Sequence, residues 1–286
     1  MLEQTLVSLL RQRPCPRVVV VDNAPELHGA ERVRRIGESM PTASIEVLDL
    51  PGNLGFAGGL AAGMQHALDH HNPDWLWLLD DDSPVAEGSI ERALRMLSTL
   101  PEDAVLGNRG ALIRRGRIVK VDARELTEVT RVPLILADGA LYSVGAVRRG
   151  GLPRPELFFM FEDYEYALRL GRAGVPMFVG DAVVSDAQYL GSTEVTHPWR
   201  AYYQTRNHLR AALDARSAPL VLGWAGRLLR QVVTLLLRRP DQWRDSLGCR
   251  IAGAVDGLRN RLGKRRDPAV VQTLDRSVTV GETRGP

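Results

Sequence analysis

Cysteine is nearly absent: the 286 residues contain two, Cys15 and Cys249. They stand far apart and neither belongs to a Cys-x-x-Cys pair, which argues against a disulfide framework or a cysteine-built zinc site and suits a reducing cytosol. Long apolar runs are missing as well. With no stretch of about 18 uninterrupted apolar residues and no signal peptide before the first element, the chain is expected not to span a membrane. The glycine-rich stretch from 53 to 63 holds no Lys or Arg. It matches neither a P-loop, which needs Gly-Lys-Ser/Thr, nor the Gly-x-Gly-x-x-Gly dinucleotide fingerprint. Interleaved aromatics are lacking in the basic C-terminal region while the remainder is acidic, which argues against nucleic-acid binding.

Forty-four per cent of the residues are hydrophobic, enough for a large core. The net charge is only +3, but from Arg206 to Arg266 fourteen Lys or Arg face four Asp or Glu, leaving the rest of the chain at −7. Such a patch suits an anionic lipid surface or a phosphorylated substrate; a solvated helical face is the plainer reading.

Helix and strand alternate from the N-terminus: an amphipathic segment over 1–13, the apolar run Val18-Val19-Val20-Val21 ending in Asp22, a strand over 44–48, a helix opened by Asn53-Leu54-Gly55-Phe56-Ala57-Gly58-Gly59 and running to about His70, and the apolar run 75–79. This alternation predicts a parallel sheet with helical crossovers. A helix over 87–99 and strands at 134–136, 140–142 and 177–179 follow. After residue 199 only helices are expected, over 199–215, 219–237 and 241–262. The division is therefore a sheet domain over 1–198, a basic and partly amphipathic helical region over 199–266, and a tail over 267–286 expected to be disordered.

Asp80-Asp81-Asp82 ends the run Trp75-Leu76-Trp77-Leu78-Leu79. An all-apolar strand reads as the middle of a sheet, and its C-terminal end is where open α/β sheets bind ligands. Alternate residues share a face, so Asp80 and Asp82 are placed to converge on one divalent ion, Mg²⁺ or Mn²⁺ for an all-oxygen site. An acidic turn capping the next helix is the alternative. In Phe158-Phe159-Met160-Phe161-Glu162-Asp163 acids follow an aromatic wall of the kind that binds sugar rings and raises a carboxylate's pKa toward that of a general base; a capped helix start accounts for it equally.

The ordered set Val20-Val21-Asp22-Asn23, Asn53 to Gly59, Trp77 to Asp82, Asp138-Gly139-Ala140-Leu141, Phe158 to Asp163 and Tyr202-Tyr203-Gln204-Thr205-Arg206-Asn207 resembles family 2 inverting glycosyltransferases of the GT-A fold. Within that family the chain is most similar to bacterial rhamnosyl- and galactofuranosyltransferases that extend lipid-linked glycans. The resemblance covers about residues 1–210. It implies an α/β GT-A mixed sheet flanked by helices with a C-terminal helical region. It also implies a donor site formed by Asp22, Asn53, Gly55, Gly58, Gly59, Asp80 and Asp81, a metal held by Asp80 and Asp82, and Asp163 as catalytic base. Asp138, Gly139, Glu162 and Trp199 would line the acceptor side. Further metal ligands would be Asp186, which stands where relatives often carry a His, or His197. The partners implied are a nucleotide-diphosphate sugar and a glycan or lipid-linked acceptor, with a cytoplasmic location peripheral to the inner face of the membrane.

The chain departs from the family in starting inside the helix that normally follows the first strand, so that strand is expected to be missing. Two alternatives stay open: a catalytically impaired GT-A module that binds a partner or membrane, and a nucleotidyltransferase, which would need a basic residue in the 53–63 loop.

Overall fold

The structure, a computed structural model, describes residues 1–27, 29–38, 44–126, 128–180, 197–238 and 243–266. Helix α1 (Leu2–Leu10) leads to strand β1 (Val18–Asp22), helix α2 (Gly29–Glu38), strand β2 (Ile45–Asp49) and helix α3 (Gly55–His71). The β-branched run of β1 pairs in parallel with β2, and among the described residues that is its only strand partner.

A separate five-stranded sheet follows in the order β3-β9-β4-β10-β7, made of β3 (Trp75–Trp77), β9 (Leu141–Ser143), β4 (Val105–Gly107), β10 (Met177–Val179) and β7 (Thr130–Arg131). It is mixed: β4 and β10 run parallel, while β9 is antiparallel to both β3 and β4. The sheet is not the all-parallel one expected from the alternation. A third sheet, β6-β5-β8, joins β5 (Arg109–Arg114), β6 (Arg117–Asp122) and β8 (Leu134–Ile135). The β5-β6 hairpin turns on Arg115 and Gly116, φ 50° and 77°. Two left-handed residues match the twist of the flanking strands.

Helices cover both faces of the five-stranded sheet. Met64 of α3, Leu76, Val105, Tyr142, Tyr166 and Leu170 form the main buried cluster, to which α5 (Val144–Gly150) and α6 (Glu162–Arg172) contribute. On the other side Leu9 of α1 and Ala93 and Leu97 of α4 (Ser89–Leu97) meet Leu106 and Leu141. Alternate strand residues thus supply two cores, as a sheet covered on both faces requires.

The C-terminal helices are α7 (Pro198–Asp214), α8 (Ala218–Arg238) and α9 (Trp243–Leu258). Helix α7 is knitted into the first region by Tyr202 and Tyr203, which pack on Phe158. It also lies against α9 at backbone distance: a Cβ at Gly257 would meet the Arg206 carbonyl at 2.9 Å. Within helix α8, Ala218–Leu237 is long and apolar enough to cross a membrane by length and composition alone, with mean hydropathy 1.4 and 6% of it buried. Arg227 and Arg230 interrupt it near its middle, which suits a helix lying in an interface better than one crossing it.

Candidate active site

The three aspartates sit in a turn fixed from outside. Asp138 accepts three hydrogen bonds: at Oδ1 from the Asp80 N–H (3.0 Å), and at Oδ2 from Ser83 Oγ (3.1 Å) and Arg109 Nη2 (2.8 Å). Thr5 Oγ1 in α1 donates to the Asp81 carbonyl at 3.0 Å. Asp138, expected on the acceptor side, is only 11% exposed and its oxygens serve the turn. Gly139 follows it. Its φ of 80° makes the bend that returns its N–H to the Leu78 carbonyl (2.8 Å), and a Cβ there would press on Asn108.

Burial, then the charges of Asp138, Asp82 and Asp81, push the Asp80 carboxyl up to about 7, with Arg109 opposing. Four carboxylates around one guanidinium leave negative charge in excess, and Asp81 and Asp82 are exposed. A hard divalent cation suits this donor set, since Mg²⁺ and Mn²⁺ take one or two carboxylates and complete their shells with phosphate oxygens and water. Of the further ligand candidates, Asp186 lies outside the described residues. His197 stands half-buried before α7 and makes no cap hydrogen bond.

Asp163 occupies the first turn of α6. The loop before it is unusual: Phe158, Met160 and Phe161 all have left-handed backbones, φ 65°, 67° and 65°. Non-glycine residues in that region cost energy and persist only where the surroundings hold them. Asn207 of α7 supplies the hold, its Nδ2 donating to the carbonyls of Leu157 (2.9 Å), Phe159 (2.9 Å) and Met160 (2.8 Å). Arg206 is fully buried. It donates to Asn207 Oδ1, to the Leu157 carbonyl and to the Gly263 carbonyl at 2.7–2.8 Å, and lies over the Tyr203 ring. These two residues belong to the Tyr202–Asn207 motif, yet nothing in their types or spacing announced that they shape the loop carrying Asp163.

Asp163 is half-buried and accepts the Tyr164 N–H at 2.7 Å. Burial raises its pKa, partly countered by hydrogen bonds and by Arg109. Glu162 is 8% exposed, and its Oε2 has no hydrogen-bond partner among the described residues. Burial and then the neighbouring Asp163 raise its pKa, with a further contribution from Asp80. The acidic turn and the acidic helix start therefore share one electrostatic field, bridged by Arg109. Glu162, expected on the acceptor side, is largely buried. Trp199 remains half-open, with its ring 5.2 Å from that of Phe159.

The expected donor side is built differently from a phosphate cradle. Asp22 accepts the N–H groups of Ala24 and Ala30, both at 3.0 Å, and closes its own loop. At the start of α3 the Leu54, Gly55 and Ala57 N–H groups go to Asn23 Oδ1, Asn53 Oδ1 and the Phe158 carbonyl. Gly55, Gly58 and Gly59 are buried; a Cβ at Gly55 would collide with Phe158 and one at Gly58 with Leu54. Gly55 and Gly58 thus allow close packing at the start of the helix expected to border the donor. Asn53 is exposed.

A second group, Glu46, His66 and His71, brings its ligand atoms within 4.8 Å of one another. Its hydrogen bonds describe a clasp between β2 and α3. Arg17 Nη1 lies 2.7 Å from His71 Nδ1, and a guanidinium only donates, so Nδ1 accepts and Nε2 keeps its proton for Glu46 Oε2 (2.8 Å). Coordination through Nε2 would require that arrangement to break.

Residues 1–123 match the family model described as glycosyl transferase family 2. The chain carries a family 2 glycosyltransferase domain. Galactofuranosyltransferase GlfT1 of Mycobacterium tuberculosis strain H37Rv is 31% identical to the chain over 208 residues, 66% of this chain and 65% of that protein. GlfT1 of Mycolicibacterium smegmatis is 30% identical over 184 residues, 58% and 59% of the two chains. The chain thus spans just under two thirds of these relatives' length. The mannosyltransferase PcManGT from Pyrobaculum calidifontis, solved with GDP-Man and Mn²⁺, superposes with a TM-score of 0.55 at 17% identity, covering 91% of this chain and 84% of its own. GalNAc-T7, solved with UDP, GalNAc and Mn²⁺, gives 0.56 at 15%, covering 73% and 44%. Both support the GT-A fold for the glycosyltransferase domain.

Proposed function

We propose that the protein transfers a sugar, with inversion, from a nucleotide-diphosphate donor to a hydroxyl of a lipid-linked glycan. The observation that carries this reading is the facing pair of acidic clusters, Asp80 to Asp82 with Asp138 on one side and Glu162 with Asp163 on the other, within reach of one another's charge. Asp80 and Asp82 would hold Mn²⁺ or Mg²⁺, which neutralises charge on a departing nucleoside diphosphate. Asp163 takes the proton of the attacking hydroxyl, burial raising its pKa and with it its basicity. Glu162, protonated beside it, leaves Asp163 the ionised member of the pair. Asp138 and Arg109 fix the turn that presents Asp80 and Asp82, and Asp22 and Asn53 border the donor. Trp199 with Phe159 forms a ledge on which an acceptor sugar stacks. The GlfT1 relatives support a galactofuranosyl donor as the first candidate.

A cytoplasmic location at the inner membrane face fits α8, which exposes Leu222, Leu229 and Leu237 at 71%, 66% and 78%. Arginines on such a helix meet anionic headgroups while its apolar residues enter the interface.

The test is transfer from a panel of labelled nucleotide sugars to a detergent-solubilised polyprenyl-diphosphate glycan, with and without Mn²⁺. Metal-dependent transfer lost in Asp82→Asn and Asp163→Asn is expected. Transfer at equal rates with chelator would overturn the metal assignment.

A further inference from the structure

Arg227 and Arg230, three apart on α8, and Arg250 of α9 form a group of like charges with no carboxylate bonded to it among the described residues. Arg227 is packed with its guanidinium 5.2 Å over the Phe161 ring, the residue that opens the base helix, and its buried Nε has no partner. Phe161 stacks in turn on His208, ring centroids 4.4 Å apart. Arg250 is 6% exposed; one Nη1 donates to Gln231 Oε1 at 2.8 Å while its Nε is unpartnered. Gln231 is tied to Gln204 Oε1 at 3.0 Å, so its orientation is set. Burial, and then the neighbouring arginine, lowers the pKa of both Arg227 and Arg250. Burial and then Arg227 push His208 down to about 3, so it adds no charge.

Nearby arginines show how this chain satisfies a buried guanidinium when the purpose is architecture. Arg210 pairs with Asp214, Arg154 with Glu156 and Asp214, and each nitrogen of Arg206 donates to a carbonyl oxygen. Like charge gathered without a counter-charge disfavours the folded state, and an anion bound beside it offsets that repulsion. The cavity beneath the group, between Gln204, His208, Trp224 and Gln231, is about 10 Å³, room for one water. An anion is therefore met on the open side, at exposed Arg230 and the outer edge of Arg227. There α8 also presents Leu229 and Val233, 66% and 46% exposed.

We propose that Arg227 and Arg230, with the charge of Arg250 buried behind them, form a binding site for a phosphoryl anion carried on an amphiphile. Guanidinium forks match phosphate oxygens, the apolar flank suits a lipid chain, and Phe161 joins the site to the base. The site rests on the proposed glycosyl transfer only in naming its first source, the diphosphate of a lipid-linked acceptor. An anionic phospholipid headgroup offers the same chemistry.

Titration calorimetry of the full chain with inorganic pyrophosphate in chelator, where the aspartate turn holds no metal, tests the site directly. Saturable binding is expected, weakened at least about tenfold in Arg227→Gln and Arg230→Gln, largely kept in Arg227→Lys, and unchanged in Asp82→Asn. Arg227 and Arg230 are incompletely buried, so these variants carry the test, with thermal unfolding as the fold control. Unaltered affinity in Arg227→Gln, or no saturable binding by the unmutated chain, would overturn the proposal. Flotation with phosphatidylglycerol vesicles separates the sources. Release by saturating pyrophosphate assigns the site to headgroups, and retention assigns it to the acceptor. Pyrophosphate binding does not require turnover, so a chain that transfers no sugar yet binds pyrophosphate through Arg227 refutes the proposed function and leaves this site standing.

Discussion

The strand-end turn gathers four carboxylates around one arginine, while α8 and α9 bring together three arginines with no carboxylate bonded to them among the described residues. Between them, Arg206 is a fully buried cation that also has no carboxylate bonded to it among the described residues, yet each of its three nitrogens donates to a carbonyl oxygen, that of Asn207 included. The difference between architecture and site here is not burial or charge but whether every guanidinium nitrogen is engaged within the fold. Burial, and then the neighbouring acids, push Asp80 up to about 7, acids whose charge a cation would offset, and Arg227 keeps an outer edge beside Arg230 that an anion would meet.

The sharpest way to break this comparison is at the acidic turn. Asp82→Asn should lower transfer by several kcal/mol of lost charge stabilisation, on the order of a thousandfold, and should abolish metal-dependent donor binding with the fold intact; a donor titration with and without Mn²⁺ reads this. Next comes the base. Asp163→Asn should reduce kcat by about 10²- to 10⁴-fold at nearly unchanged donor affinity, with Glu162→Gln milder. The reverse ranking would move the base by one residue.

Asn207→Ala probes the fully engaged side of the comparison. Three carbonyls lose their shared donor, and the left-handed loop loses its hold, at a cost of about 2–4 kcal/mol readable in urea unfolding. Loss of kcat should follow with donor affinity kept. Asp80→Asn tests the other side through pH. The folded pKa near 7 lies above the unfolded carboxyl value, so the metal-free protein is stabilised by acid: the contribution is full below about pH 4 and is lost as pH rises through 7. The variant should therefore gain about 1–3 kcal/mol at pH 8 in chelator and flatten the pH profile. A variant no more stable at pH 8 would mean that Asp80 carries no such burden. The smallest effect is expected at Arg230. Its change to Gln should weaken binding to anionic vesicles by about 1 kcal/mol, less at high salt, and flotation that ignores both salt and substitution would return α8 to a packing role.

What was legible in the sequence was local. An apolar run ending in acids, a glycine-led helix and an aromatic stretch entering an acidic helix are short-range patterns, and each lies where expected. The contacts that give these pieces geometry cross long stretches of chain: Asp138 reaches Asp80 58 positions away, and Asn207 reaches the Leu157 to Met160 carbonyls 47 to 50 positions away. The role of Asp138 in holding the turn was hidden for that reason, since its partners lie far along the chain. The β5-β6 hairpin escaped because charged residues fall on both of its strands and Arg115-Gly116 is not a usual turn pair.

The Phe158 carbonyl, which takes the Ala57 N–H at 3.1 Å and leaves no room for a side chain at Gly55, gives the two halves of the site a common reference point. Neither the helix bordering the donor nor the loop carrying the base is free to shift alone. Any residue larger than glycine at position 55 would move the backbone of Phe158 and so misalign Asp163, showing up as slower chemistry with normal donor affinity. Drift between the halves would have to occur as a matched change at 55 and 158, as with two gears cut to one pitch.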